Sequence, residues 1–296
     1  MKNLFTIVFF FVLSTLYAQD KKIFDRLQAI DNNGLTFYEI DGINISSQTL
    51  NYKFTDRKLK KVYRKYSIKK KDKKTPDSNL KYNNYYVSNT TLINKKLTQY
   101  SSYYFLENKN KRTTIIQFGS FNKKNREFER KIVNLIMEGK IPKRCYNSLV
   151  INEINFAGRK IKLGSNCKWQ NVNNVQCPYN GQMNWSVHKD LKDAKNTVEQ
   201  QFEIIKLKKR GKIISEEIVK IEFEGTETKA KKIIYDFTGI TSVLASTSGG
   251  KTLTIYYVAT KVRDNYVSCV LSFWNNDTIT KNGLAPLLEE VMKLKK

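Results

Sequence analysis

His188 is the only histidine in the 296 residues, so any imidazole chemistry would have to run through it. A catalytic histidine needs a nucleophile to activate and an acid to orient it. Ser186 lies two residues earlier on the same strand face, but no Gly-x-Ser-x-Gly turn exists in the chain. The alternation of Met183, Trp185 and Val187 with Asn184, Ser186 and His188 sends the histidine to the polar face, as a surface residue. Ser248-Gly-Gly-Lys-Thr252 holds half of a phosphate loop. The full pattern wants a glycine, four residues, then Gly-Lys-Ser/Thr between a strand and a helix. Position 245 is alanine, and a strand follows. Glu216-Glu217 and Glu289-Glu290 are adjacent along the chain, so each pair points apart as solvated carboxylates. We therefore expect no catalytic, cofactor or metal site, and a protein that is not an enzyme.

Thiol chemistry depends on compartment. Lys2, the apolar run Leu4 to Leu13 and Leu16-Tyr17-Ala18 before a cut describe a signal peptide over residues 1–18. The protein is thus expected to be exported, periplasmic or secreted, where an even number of cysteines favours disulfides. Of Cys145, Cys167, Cys177 and Cys269, the middle two are ten positions apart, and bonding them would stabilise by about 3 kcal/mol. Zinc is disfavoured by the absence of a C-x-x-C spacing and of a second histidine. Cys269 alternates with Val267, Leu271 and Phe273 as a buried thiol would, while a Cys145–Cys269 link between the halves stays open. Trp169, Tyr179 and Trp185 gather around the cysteine loop. They read as an aromatic recognition loop, or else as rings that cover the end of a sheet.

Charge supplies the strongest binding candidate. There are 53 Lys+Arg against 27 Asp+Glu, and ten of the 53 are arginine. Eleven of the eighteen residues from Arg57 to Lys74 are basic. A helix from Thr55 to Tyr66 would bury Leu59, Val62, Tyr63 and Tyr66 and leave Arg57, Lys61 and Arg64 outside. Lys69, Lys70, Lys71, Lys73 and Lys74 follow as a loop. Point charges with no interleaved rings suit a polyanion or an anionic lipid surface better than base readout. An A+T-rich coding bias toward lysine and asparagine is the compositional alternative.

Elements that could position these residues occur twice. Alternating apolar residues predict strands at Leu35–Ile40, Ile43–Ser47, Tyr85–Val87, Leu97–Leu106 and Thr113–Phe121, then a helix Glu127–Glu138. A second set follows: a hairpin Ile154–Leu163, a strand at Met183, a helix Asp190–Leu207, strands at Ile213–Phe223 and Lys229–Phe237, a hairpin Thr254–Trp274 that turns at Arg263-Asp264-Asn265, and a helix Leu287–Leu294. A shift of 153 lays Tyr103-Tyr104 on Tyr256-Tyr257 and Phe118 on Leu271; a shift of 140 lays Ile43 on Met183. We read an α+β protein of two tandem antiparallel-sheet modules flanked by helices, an internal duplication. The first module spans 19–142, a connector 143–153 and the second module 154–296, with the cysteine loop as an insertion.

The meander from Ile213 to Trp274 and the closing segment Leu287-Leu-Glu-Glu-Val-Met-Lys-Leu294 give an element order that resembles the Mog1/PsbP-like α/β/α sandwiches. That resemblance implies binding or accessory roles and assigns no residue a function. We expect an exported, non-catalytic binding or scaffolding protein of the cell envelope that meets an envelope protein or an anionic polymer or lipid surface. A secreted hydrolase or toxin-like enzyme and a nonspecific nucleic-acid binder are the alternatives.

Overall fold

The computed structural model describes residues 22–122, 124–164, 166–208, 211–237 and 250–295. The expected signal peptide over 1–18 lies outside them, as does the Ser/Thr/Gly-rich loop expected over 239–250, apart from Gly250. None of the described helices is long and apolar enough to cross a membrane.

Turn chemistry sets up the first sheet. Asn33 and Gly34 take φ of 51° and 83°, the positive values that a tight two-residue hairpin turn needs. They join β1 (Gln28–Asn32) to β2 (Leu35–Ile40). Asp41-Gly42, at 54° and 76°, turns β2 into β3 (Ile43–Lys53). Sequence periodicity makes Ile23–Ile30 one amphipathic segment, but the Asn-Gly turn draws Gln28 to Ile30 into a strand. The module continues through α1 (Asp56–Lys65), β4 (Asn84–Asn94), β5 (Leu97–Glu107), β6 (Arg112–Ser120) and α2 (Arg126–Met137). In the connector, β7 (Tyr146–Asn147) adds to β1 in parallel. Strand alternation divides the core between the sheet's two faces. Tyr104, Leu106, Ile116 and Phe118 pack with Ile132 and Val133 of α2, whereas Val87, Phe105 and Ile115 pack with Leu59 and Val62 of α1.

The second module opens with a separate hairpin, β8 (Glu153–Phe156) and β9 (Arg159–Lys162). Its sheet comprises β10 (Lys168–Asn171), β11 (Asn174–Cys177), β12 (Gly181–His188), β13 (Gly211–Phe223), β14 (Thr226–Phe237), β15 (Thr252–Val262), β16 (Asn265–Trp274) and β17 (Met292–Leu294). Helix α3 (Leu191–Lys206) covers one face through Val198, Phe202 and Ile205. The single turn α4 (Pro286–Glu289) and β8–β9 cover the other, where Phe156, Trp185, Cys269 and Leu288 meet.

Both sheets repeat one strand order. The first runs β4-β5-β6-β3-β2-β1 and the second β14-β15-β16-β12-β11-β10, with a helix after β3 and after β12. The cysteine loop is therefore not an appendage: β10–β11 occupies the place that β1–β2 holds in the first sheet. The additions are β8–β9 and the outer strands β13 and β17. The expected terminal helix Leu287–Leu294 stops after one turn, and Met292–Leu294 pairs with Ile221–Phe223 instead. The open edge of β13 leaves backbone groups unpaired, and capturing the tail satisfies them. One uniform shift of 153 also fails across the hairpin. It keeps Phe118 and Leu271 on matching faces but sets Tyr104, on the α2 side, over Tyr257, on the α3 side. Five residues separate the paired Glu107 and Thr113, and two separate Val262 and Asn265. A difference of three is odd, and an odd slip turns a strand over.

Candidate functional site

The cationic segment forms one continuous face. Leu59 and Val62 anchor α1, and Arg57, Lys60, Lys61, Arg64 and Lys65 stand exposed. Asp56 in the first turn and Arg64 and Lys65 in the last suit the helix dipole. Lys65 Nζ donates to Gln48 Oε1 at 3.0 Å. The loop beyond is clamped. Lys74 Nζ donates to the carbonyls of Lys69 (2.8 Å) and Asp72 (2.6 Å) and sits 5.5 Å from the centre of the Tyr63 ring. Asp72 Oδ2 accepts the Lys69 amide at 2.7 Å. Lys74, grouped by sequence with the contact lysines, is thus turned inward as the loop's fastening. Lys69, Lys70, Lys71 and Lys73 remain exposed. Among the described residues, no ion pair involves any cation from Arg57 to Lys74. Some lysines elsewhere do pair, for example Lys81 and Lys140 with Glu138, Lys232 with Glu217, and Lys293 with Glu222, while others such as Lys162, Lys212 and Lys229 stand singly, without an ion pair among the described residues.

The aromatic loop does not gather as the sequence suggests. Cys167 and Cys177 are bonded, with Cα atoms 4.1 Å apart, and tie β10 to β11. Cys145 and Cys269 are buried, unbonded thiols in different cores. Trp185 is 1% exposed and belongs to the core, between Phe156 and Trp169. Its place on β12, with Met183 and Val187, makes it an inner-face residue. Trp169 is half-buried and donates Nε1–H to the Ser148 carbonyl at 2.9 Å. Tyr179 alone of the three is open, at 67%. Gly250-Lys-Thr252 is no phosphate loop either, since the amides of Lys251 and Thr252 both donate to Asn275 Oδ1.

A buried polar junction that sequence reading misses joins the modules. The Asp41-Gly42 turn presses on β12: Asp41 N donates to the Val187 carbonyl at 3.2 Å, and Lys189 N donates to Asp41 Oδ1 at 3.0 Å. Arg26 forks onto Asp41 at 2.8 and 3.1 Å. A side chain at Gly42 would meet Thr197 Oγ1 at 2.8 Å, so glycine is needed there for space as well as for its positive φ. Behind the turn lies Glu39. Its Oε1 accepts Gly42 N–H and its Oε2 accepts Asn173 Nδ2–H, each at 2.8 Å. Burial pushes this carboxyl up to about 8, although hydrogen bonds from Ser186, Gly42 and Asn173 pull the other way.

His188, expected on the solvent side, is buried beside it, with Nε2 2.8 Å from Ser268 Oγ. Burial pushes it down to about 4 against the pull of Asp41 and Asp193. The alternation along β12 is real, but α3 and the β2–β3 turn cover the face that was assigned to water. A cleft of about 750 Å³ opens here, lined by His188, Arg26, Arg144, Lys189 and Arg263. Arg26, Arg144, Lys189 and Arg263 are committed to Asp41, Asp25, Asp193 and Glu224 respectively. Ser268 does not line the cleft, and His188 Nδ1 has no partner among the described residues. The pair thus lacks both the access and the orienting acid that a serine nucleophile uses. Among the described residues no three His, Cys, Asp or Glu side chains cluster as metal ligands would.

No family model matches the chain, and no curated protein matches it. Among solved structures the chain is similar to DynU16, from the dynemicin biosynthetic locus, at 6% identity over 86% of this chain and 78% of that one, with a TM-score of 0.18. It is also similar to the di-domain ARO/CYC StfQ of the steffimycin pathway, at 9% identity over 91% and 74%, with a TM-score of 0.15. At such TM-scores neither likeness carries an argument.

Proposed function

We propose that the protein is a non-catalytic binding protein, acting in the cell envelope or outside it, whose first module holds an anionic polymer or surface against α1 and the clamped lysine loop. The observation that carries this reading is the gathering of eleven cations within eighteen residues, none of them in an ion pair among the described residues. Tyr63 and Tyr66 pack edge-on against Phe105, and Tyr52, 37% exposed with Lys58 Nζ 5.7 Å from its ring centre, is a single open ring beside the segment rather than the row of rings on which single-stranded nucleic acid stacks.

Two variants test it, Lys69, Lys70, Lys71 and Lys73→Gln on the loop and Arg57, Lys60, Lys61 and Arg64→Gln on the helix. Lys74 stays intact, because removing it would release the loop. Since the loop is fastened to Tyr63, both variants should weaken retention on heparin and on anionic vesicles to a similar extent. For four lost contacts, the slope of log K against log salt should flatten by up to about 4. Thermal stability should barely move, as exposed charges contribute little. Equal salt midpoints for wild type and both variants would mean a solvated face and a compositional charge excess.

The alternative, a hydrolase, would have to use the 2.8 Å contact between Ser268 Oγ and His188 Nε2, which in this structure has neither an orienting acid nor Ser268 in the cleft wall. Under the binding reading a fluorophosphonate serine probe leaves the protein unlabelled. Labelling that disappears in Ser268→Ala would favour the enzyme.

A further inference from the structure

A second groove lies on the first sheet where α1 stops covering it, and its chemistry is unlike that of the rest of the surface. In a chain of which 27% of residues are charged, none of the twelve residues that line it is charged. Its volume is about 380 Å³, at the small end of the range for small-molecule sites. Register places its walls. Phe37, Ser46 and Gln117 form one row across β2, β3 and β6, and Asn44 and Gly119 form the next. Gln99 of β5 and Phe121 complete the near side, and Asn171 of the second module closes the far side with its Nδ2 3.3 Å from Asn44 Oδ1.

Three features together identify a ligand class. The side-chain amides of Gln99 and Gln117 have no protein partner among the described residues, and each offers two donors and an acceptor. Phe37 and Phe121 are half-buried and present ring surface to the same space. Gly119 gives a flat floor near the end of β6, and a glycine within a strand often marks the close approach of another group. Amides suit hydroxyls that both donate and accept, and rings suit the C–H face of a saturated ring. A peptide adding as a strand is disfavoured, because β2, β3, β5 and β6 all have their edges paired. An anion finds no cation in the lining.

We propose that this groove seats an uncharged sugar ring of an oligosaccharide, held by Gln99, Gln117 and Asn44 over Gly119. The site is separate from the cationic face and does not depend on it.

Gly119 provides the test. Its φ is not in the left-handed region, and a Cβ there would meet nothing closer than the Asn44 carbonyl at 4.0 Å. Gly119→Leu therefore fills the groove without backbone strain. Binding of maltohexaose, cellohexaose and chitohexaose to the full protein is measured by titration calorimetry. At least one should bind wild type, Gly119→Leu should abolish that binding, and Gln117→Ala should weaken it about tenfold, the factor that about 1.4 kcal/mol represents. The heparin salt midpoint should be unchanged in both variants, which separates this site from the cationic face. If Gly119→Leu does not fold by circular dichroism, Gln117→Ala decides alone. Binding by none of the three sugars, or equal binding by wild type and Gln117→Ala, overturns the proposal.

Discussion

Urea unfolding of the wild-type protein should show a broad stability plateau between about pH 4.5 and 6.5 and then a fall toward pH 8, a fall that Glu39→Gln should abolish. The reason lies in two buried groups with opposite signs. Glu39 ordinarily ionises at 4.5 and is pushed up to about 8 by burial in the fold. Between those values the unfolded chain has released a proton that the folded chain keeps. Rising pH therefore favours unfolding, by roughly 1.4 kcal/mol per pH unit and on the order of 4–5 kcal/mol in all. His188 is ordinarily protonated below 6.5, but burial holds it neutral down to about 4. Its contribution is fully present above 6.5 and is lost as pH falls toward 4, on the order of 3 kcal/mol. From 4.5 to 6.5 the two slopes cancel. Above 6.5 only Glu39 acts.

Glu39→Gln should keep the hydrogen bond from Gly42. Its amide can also be met by Asn173 Oδ1, which has no partner in the orientation assigned to that side chain. The variant should therefore gain stability on wild type steadily from pH 4.5 to 8. His188→Asn should instead replace the plateau by a fall that runs from about pH 4.5 to 8, because nothing then offsets Glu39. The charged neighbours Asp41, Arg26, Asp190 and Asp193 are present in all three proteins, so difference curves isolate the two groups. A flat difference between wild type and Glu39→Gln across pH 4.5–8 would show that Glu39 ionises in place, and that the junction opens to water without unfolding.

Local chemistry explains which parts of this architecture are legible in the sequence. The α+β class and the stripes Leu59–Val62 and Ala194–Val198–Phe202–Ile205 follow from apolar spacing alone. So do the Asp41-Gly42 turn and the Cys167–Cys177 bond, whose partners are near in sequence. What is missed depends on long-range partners. His188 and Ser186 look solvent-facing because alternation on β12 reports two faces, not that both are covered. Glu39 looks like an ordinary exposed carboxylate in Leu35–Ile40, because Asn173 and Ser186, which bury it, lie far along the chain. The groove over Gly119 draws on four strands of one module and the end of β10 in the other. No spacing in the sequence could gather Phe37, Gln99 and Asn171.

The largest effect of a single truncation should come from Trp185. It is among the largest fully buried side chains, it pairs with Cys269 across β12 and β16, and its ring lies 5.6 Å from Phe156 and 6.4 Å from Trp169. Trp185→Ala should cost about 3–5 kcal/mol, the lost transfer energy plus the cavity it leaves. Trp185→Phe should cost much less than the alanine change. The indole Nε1–H has no partner among the described residues, so replacing it removes a buried unsatisfied donor along with some ring area. Tyr179→Ala should stay within about 0.5 kcal/mol of wild type, since its ring is open and its carbonyl keeps the bond from Thr278 N. Urea midpoints for the three variants, measured without reductant so that Cys167–Cys177 holds the β10–β11 hairpin, provide the comparison. Equal losses for Trp185→Ala and Tyr179→Ala would return Trp185 to the surface and restore a three-ring recognition loop. The expected wide separation leaves Tyr179 as the one fully open ring on that loop, so any partner docking there meets a single aromatic contact beside a disulfide-fixed hairpin.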